Sequence, residues 1–205
     1  VASLAGKNVK PSVLELGGSD PMIVLDDADI EKVMNGTING RLRNAGQACT
    51  SSKRIIVQEG IYDEYLKQIT AYVNNMKVGD PTQADTNMGP VSSETALVKL
   101  LDQVNQSVEK GAKIVSGGKR IDRDGFFLEP TILTEIKPGM KAYDEEIFGP
   151  VVCIWKVKDA EEALKIANDT PFGLSASIYT KNVKIKKKLA RRIDSGMVYV
   201  NKQVS

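Results

Sequence analysis

The chain has 205 residues, 41% hydrophobic and 26% charged, enough for a substantial core and ordinary for a globular protein. A formal net charge of +2 gives no reason to expect nucleic acid or an acidic membrane as a partner, and no apolar run approaches the roughly 20 residues that span a bilayer. Histidine is absent, which excludes Ser-His-Asp and Cys-His nucleophile pairs within the chain and removes the commonest zinc and iron ligand.

Read in chain order, the pattern is α/β, with short β-branched runs alternating with longer amphipathic stretches. Val13 to Leu16 and Met22 to Leu25 read as two short strands broken by the Gly17-Gly18 turn. Asp29 opens a helix whose apolar face is Ile30, Val33, Met34, Thr37 and Ile38, with capping carboxylates drawn from Asp26 to Asp29. Arg54 to Val57 is expected as a strand and Tyr62 to Met76 as a helix that ends at the turn Val78-Gly79-Asp80-Pro81. A long helix over about Ser92 to Lys110 is stopped by Gly111 and followed by a strand, Lys113 to Ser116. Val151 to Val157 is nearly all apolar, as expected of a strand covered on both faces. After it come a helix (about Ala160 to Asn168), a strand (Leu174 to Tyr179), a helix (about Val183 to Ile193) and a strand (Met197 to Val200). This ending favours a parallel sheet, and the whole is read as one domain. Lys184, Lys186, Lys187, Lys188, Arg191 and Arg192 surround Ile185, Leu189 and Ile193 at helical spacing, so they are read as a solvated helix face.

The two cysteines, Cys49 and Cys153, cannot build a disulfide framework and suit a reducing, cytoplasmic setting. Cys49 follows a Gly-Gln turn and precedes Thr50-Ser51-Ser52, where backbone amides can face the thiol and lower its pKa. Cys153, inside Val151-Val152-Cys153-Ile154-Trp155, reads as a packing residue. Glu15 stands at the end of an apolar run before two glycines, where partial burial would raise its pKa into the range useful to a base. A salt-bridged strand-end glutamate is the plainer reading of that position.

Three segments taken together, Leu14-Glu15-Leu16-Gly17-Gly18, Asn44-Ala45-Gly46-Gln47-Ala48-Cys49 and Glu145-Glu146-Ile147-Phe148-Gly149-Pro150, closely resemble the aldehyde dehydrogenase superfamily. The likeness continues through Pro171-Phe172-Gly173-Leu174 and Gly196-Met197-Val198-Tyr199-Val200-Asn201. The resemblance implies the parallel-sheet catalytic domain of that fold and NAD- or NADP-dependent oxidation of a small-molecule aldehyde to a carboxylic acid. It makes Cys49 the nucleophile and Glu15 the general base, and their presence together points to hydrolysis rather than acyl transfer to coenzyme A. Glu146 would accept the ribose hydroxyls on the nicotinamide side, Phe148 would limit nicotinamide movement, and Gly17 would let the chain pass close to that end of the cofactor. The resemblance also implies a homo-oligomeric parent enzyme.

Ser19 stands where the family usually has lysine after the two glycines, which is similar to the succinate-semialdehyde branch. There Arg43 would grip the substrate carboxylate, a bidentate match of guanidinium to carboxylate. Arg41 and Arg54 are nearby competitors for that part, and small hydroxy-aldehydes such as glyceraldehyde remain open. The family's dinucleotide-binding domain, the asparagine that completes its oxyanion hole and its C-terminal arm are not in the sequence, so a fragment of a longer chain, inactive by itself, is expected. A non-catalytic domain that only packs against partners is the rival reading. A thiol redox protein is disfavoured by the lack of a Cys-x-x-Cys pair.

Overall fold

A computed structural model describes residues 1–204. The elements are α1 (Ala2–Lys7), β1 (Pro21–Val24), α2 (Ile30–Thr37), β2 (Arg54–Gln58), α3 (Glu59–Asn74), α4 (Glu94–Glu109), β3 (Lys113–Ser116), β4 (Thr131–Thr134), α5 (Lys141–Asp144), β5 (Val151–Val157), α6 (Ala160–Asn168), β6 (Ser175–Tyr179), α7 (Val183–Ala190) and β7 (Met197–Val200). The strands form one sheet in the order β3-β4-β5-β2-β1-β6-β7. Every neighbouring pair is parallel except β3 with β4. The expected α/β fold with a parallel sheet is therefore present, with one antiparallel edge strand.

Side chains alternate between the two sheet faces with period two, and each face is covered by helices. Met22, Val24, Ile55, Val57 and Ile154 meet Val33 of α2 and Tyr65, Ile69 and Val73 of α3. Ile23, Ile56, Cys153 and Trp155 meet Leu97, Leu100 and Val104 of α4, Ala163, Leu164 and Ala167 of α6 and Leu189 of α7. The helices begin where carboxylates and polar side chains cap them: Asp29 accepts from the Lys32 N–H, Ser93 from that of Ala96, and Asp159 from those of Glu161 and Glu162. Gly111 takes a positive φ beyond α4, as its place at the helix end requires.

Three expectations need correction. Residues 13–16 are not a strand and pair with no strand of the sheet. Instead Val13 is 99% and Leu16 69% exposed. The strand β4 and the single turn α5 were not expected. Finally, α7 ends at Ala190, although Ile193 still reaches the core and the lysines of α7 stay at the surface or partly buried.

Among the described residues no helix is long and apolar enough to cross a membrane.

Candidate active site

The loops that carry the three motifs all precede parallel strands: 17–20 before β1, 46–53 before β2 and 145–150 before β5. The residues meet at the amino ends of the strands. Upstream of Cys49, α2 runs into a π-helical turn over residues 38–42, and Asn44, Ala45 and Gly46 then all take positive φ. Turns of this kind interrupt regular helix and are frequent where a side chain must be re-aimed. Gly46 could carry no side chain, since a Cβ there would lie 2.2 Å from the Gly149 carbonyl oxygen.

The crossing of these loops is held by Arg41, which is fully buried. Its Nε donates to the Val151 carbonyl at 2.9 Å, its Nη1 to the Ser51 hydroxyl at 2.9 Å, and its Nη2 to the Ile147 and Gly149 carbonyls at 2.9 and 2.7 Å. Burial lowers the Arg41 pKa to about 10, still well above neutrality. Arg54 is also buried, donating to the Ser19 carbonyl and to those of Ile166 and Ala167 at the end of α6. Both competitors for a substrate-gripping arginine are thus committed to backbone, and Arg43 is the exposed one of the three.

Cys49 is half-buried and lines a cavity of about 560 Å³ together with Glu15, Gly17, Gln47, Glu146 and Phe148. The sequence therefore named five residues, Cys49, Glu15, Gly17, Glu146 and Phe148, that the fold brings to one cavity. Arg43 is not among them. It lines a second cavity with Gly40, Asn44, Thr50 and Ser51, and Ala48 belongs to both. Phe148 is 43% exposed, so it is not a core phenylalanine.

Glu15 is exposed rather than partly buried. The Cys49 thiol is raised above its ordinary pKa rather than lowered. The first cause is its hydrogen bond to the Glu15 carboxylate, followed by burial and by the charge of Glu15; the Thr50 N–H and Lys53 oppose these. Cys153 is inaccessible on β5, and burial pushes its thiol up to about 12.

Glu146 is held from two sides. Its Oε1 accepts the Gly18 N–H at 3.2 Å and the Lys53 ammonium at 3.1 Å. Its Oε2 lies on the Gly17 side, where a Cβ would come within 2.6 Å of it. Gly18 has a similar duty, since a Cβ there would lie 2.7 Å from the Cys49 carbonyl oxygen. The two adjacent glycines thus admit the Glu146 carboxylate and the Cys49 backbone respectively, more than a generic turn demands.

Sequence reading missed Lys53, Lys99 and Gln103. Ala96, Lys99, Leu100 and Gln103 all line the Cys49 cavity and fall at helical spacing on one face of α4, a signal that could have found them. Gln103 is buried and donates to the Glu145 carboxylate at 2.9 Å and to the Glu146 carbonyl at 3.2 Å, fixing that loop to α4. Lys53 gave no signal beyond being a lysine ahead of a buried strand.

The whole chain, residues 1–205, matches the model of the aldehyde dehydrogenase family. A succinate-semialdehyde dehydrogenase [NADP(+)] of Deinococcus radiodurans is 42% identical over 205 residues, covering 100% of this chain and 43% of the relative. The Mycobacterium leprae enzyme of that name is 40% identical over 201 residues, covering 98% of this chain and 44% of its own length. Among solved structures, succinic semialdehyde dehydrogenase from Streptococcus pyogenes in complex with NADP+ superposes with a TM-score of 0.93 at 42% identity, covering all of this chain and 45% of that one. Lactaldehyde dehydrogenase from Escherichia coli does so with a TM-score of 0.94 at 35% identity, covering all of this chain and 43% of that one. The chain spans less than half the length of these relatives, and it belongs to the aldehyde dehydrogenase family.

Proposed function

We propose that this chain supplies the nucleophile, the base and the nicotinamide-facing wall for NAD(P)-dependent oxidation of an aldehyde to a carboxylic acid, with succinate semialdehyde as the substrate. The observation that carries the reading is that Cys49 and Glu15 line one cavity with Glu146 and Phe148.

The Cys49 thiol loses its proton to solvent, and the thiolate adds to the aldehyde carbon, leaving a negative charge on the former carbonyl oxygen. The backbone N–H of Cys49 stabilises that oxyanion. A nicotinamide held against Phe148 and Glu146 would supply the hydride acceptor through which the Cys49 adduct becomes a thioester. Glu15, facing the sulfur from an exposed segment, then takes a proton from water as it attacks the thioester carbon, and the thiolate leaves. The walls fit the nicotinamide and ribose end of such a cofactor. Phe148 offers an exposed ring, Oε2 of Glu146 can accept hydroxyls, and Gly17 places no side chain beside that oxygen. NADP is favoured by the two succinate-semialdehyde relatives; NAD remains compatible with every residue named.

A parent-length enzyme tests the division of labour. Cys49→Ala is expected to abolish formation of reduced cofactor, whereas Glu15→Gln should retain a burst of about one equivalent followed by slow turnover. Equal loss of burst and turnover in Glu15→Gln would refute the role of Glu15.

A second reading, oxidation of a small hydroxy-aldehyde, is supported by the place of Arg43 outside the Cys49 cavity and by the likeness to lactaldehyde dehydrogenase. Arg43→Ala decides between the two. A rise in KM of about tenfold or more for succinate semialdehyde, with a neutral aldehyde unaffected, supports the first, in line with roughly 1.5–3 kcal/mol for a charged hydrogen bond. An equal, small change for both favours the second.

A further inference from the structure

Lys53 is 1% exposed, and nothing in the catalytic scheme uses it. Its ammonium donates to the Ala48 carbonyl at 2.7 Å, the Cys49 carbonyl at 2.9 Å and Oε1 of Glu146 at 3.1 Å, with the Ser51 carbonyl farther off at 3.4 Å. Lys53 thus grips two successive peptide carbonyls around Cys49. Every peptide bond among the described residues is trans, so each carbonyl points opposite to the N–H of the same peptide plane. With the Ala48 carbonyl turned toward Lys53, the Cys49 N–H must point away from it. With the Cys49 carbonyl turned the same way, the Thr50 N–H points away too, and it donates to the Cys49 sulfur. Gly18 closes the other side of the Cys49 carbonyl, leaving no room for a side chain.

We propose that Lys53 is a positioning residue that fixes the Ala48–Cys49 and Cys49–Thr50 peptide planes, aiming the Cys49 N–H at the oxyanion and the Thr50 N–H at the sulfur. It acts through the backbone and does not touch the substrate. Its contact with Glu146 ties the same geometry to the loop that carries Phe148. Without the ammonium the two carbonyls lose their donor, and either plane can rotate so that a carbonyl rather than an N–H faces the site. The proposal rests on Cys49 being the nucleophile.

Two reactions of Cys49 in this chain separate the effects, and neither needs a cofactor. Acylation by p-nitrophenyl acetate passes through a tetrahedral oxyanion and needs the Cys49 N–H; alkylation by iodoacetamide does not. Both rates are measured against pH and compared at equal thiolate fraction, with circular dichroism reporting the fold. In Lys53→Met, acylation is expected to fall by about 10²-fold, the usual loss for one oxyanion donor, while alkylation falls less than about threefold. Lys53→Arg keeps the charge in a flat fork that cannot reproduce the tripod, and the same split is expected at smaller size. If Lys53→Met does not fold, Lys53→Arg decides. Equal factors for the two reactions, or unchanged rates, in a folded variant overturn the proposal. Acylation of Cys49 no faster than that of Cys153 in the unmutated chain would instead sink the nucleophile reading beneath it.

Discussion

At the scale of single residues, the decisive contrast is between two cysteines in one fold. Both thiols are raised, but for different reasons: Cys153 first by burial on a strand, Cys49 first by a carboxylate that accepts its proton. A thiol held up by a removable carboxylate has an adjustable reactivity. The folded pKa of Cys49 lies above the ordinary thiol value, so little thiolate is present at neutral pH, and alkylation should climb as pH rises through that pKa. Glu15→Ala removes the largest raising cause and leaves the lowering ones, the Thr50 N–H and Lys53. The profile should therefore shift to lower pH, and iodoacetamide should label Cys49 several-fold faster at pH 7.5. Little difference is expected at pH well above the wild-type thiol pKa. An unmoved profile would show that the Glu15 contact has no influence in solution. Cys153 should stay unlabelled in both proteins until they unfold.

At the scale of elements, the loops around Cys49 are joined by buried cations as well as by apolar packing of Ala45 and Ile147. Arg41 binds the loop before β2 to the loop before β5, and replacing it with Met would leave the Gly149, Ile147 and Val151 carbonyls without that donor. Charged hydrogen bonds are worth roughly 1.5–3 kcal/mol each, and a broken buried ionic site costs about 3–5 kcal/mol. Arg41→Met is therefore expected to lower stability by at least about 3 kcal/mol, seen as a reduced urea midpoint. A shift below about 1 kcal/mol would mean the loops are held otherwise. This kind of tie is also where sequence reading stops. Helices that bury one face announce themselves by period and a strand covered on both faces by an unbroken apolar run, so α2, α4, α6 and β5 were legible. The run Val13 to Leu16 has a strand's composition, but a strand also needs a neighbour to bond to, and this segment pairs with none. The short run Thr131 to Thr134 carries too few residues to show a period. Cys49, Glu15, Glu146 and Phe148 were legible only because three motifs occurred together; Lys53 and Arg41 act through backbone carbonyls, which leave no mark in the residue pattern.

At the scale of the whole molecule, the site is assembled from a stable sheet and one poorly anchored segment. The loops before β1, β2 and β5 are tied by Gly18, Lys53, Arg41 and Gln103, all buried among their partners. Glu15 belongs to a different regime. Among the described residues, 11–17 make no backbone hydrogen bond, and Val13 and Leu16 expose most of their surface. Other surface loops are better held: the 119–129 loop, for example, closes on itself through Ile121 to Phe127 and Glu129 to Lys119 at 2.9 Å each. Segments with few buried contacts and unpaired backbone open at little cost and are cut first by proteases. Thermolysin, which cuts before large apolar residues, should therefore act first at Val13, Leu14 or Leu16 and leave the sheet intact. A cut at Leu16 also removes Glu15, so the trimmed product should show the same fall in Cys49 thiol pKa as Glu15→Ala, read by the same alkylation profile and by mass spectrometry. A first cut inside the sheet, or a trimmed product with an unshifted profile, would mean that Glu15 is built into the core of the site rather than brought to it by this segment.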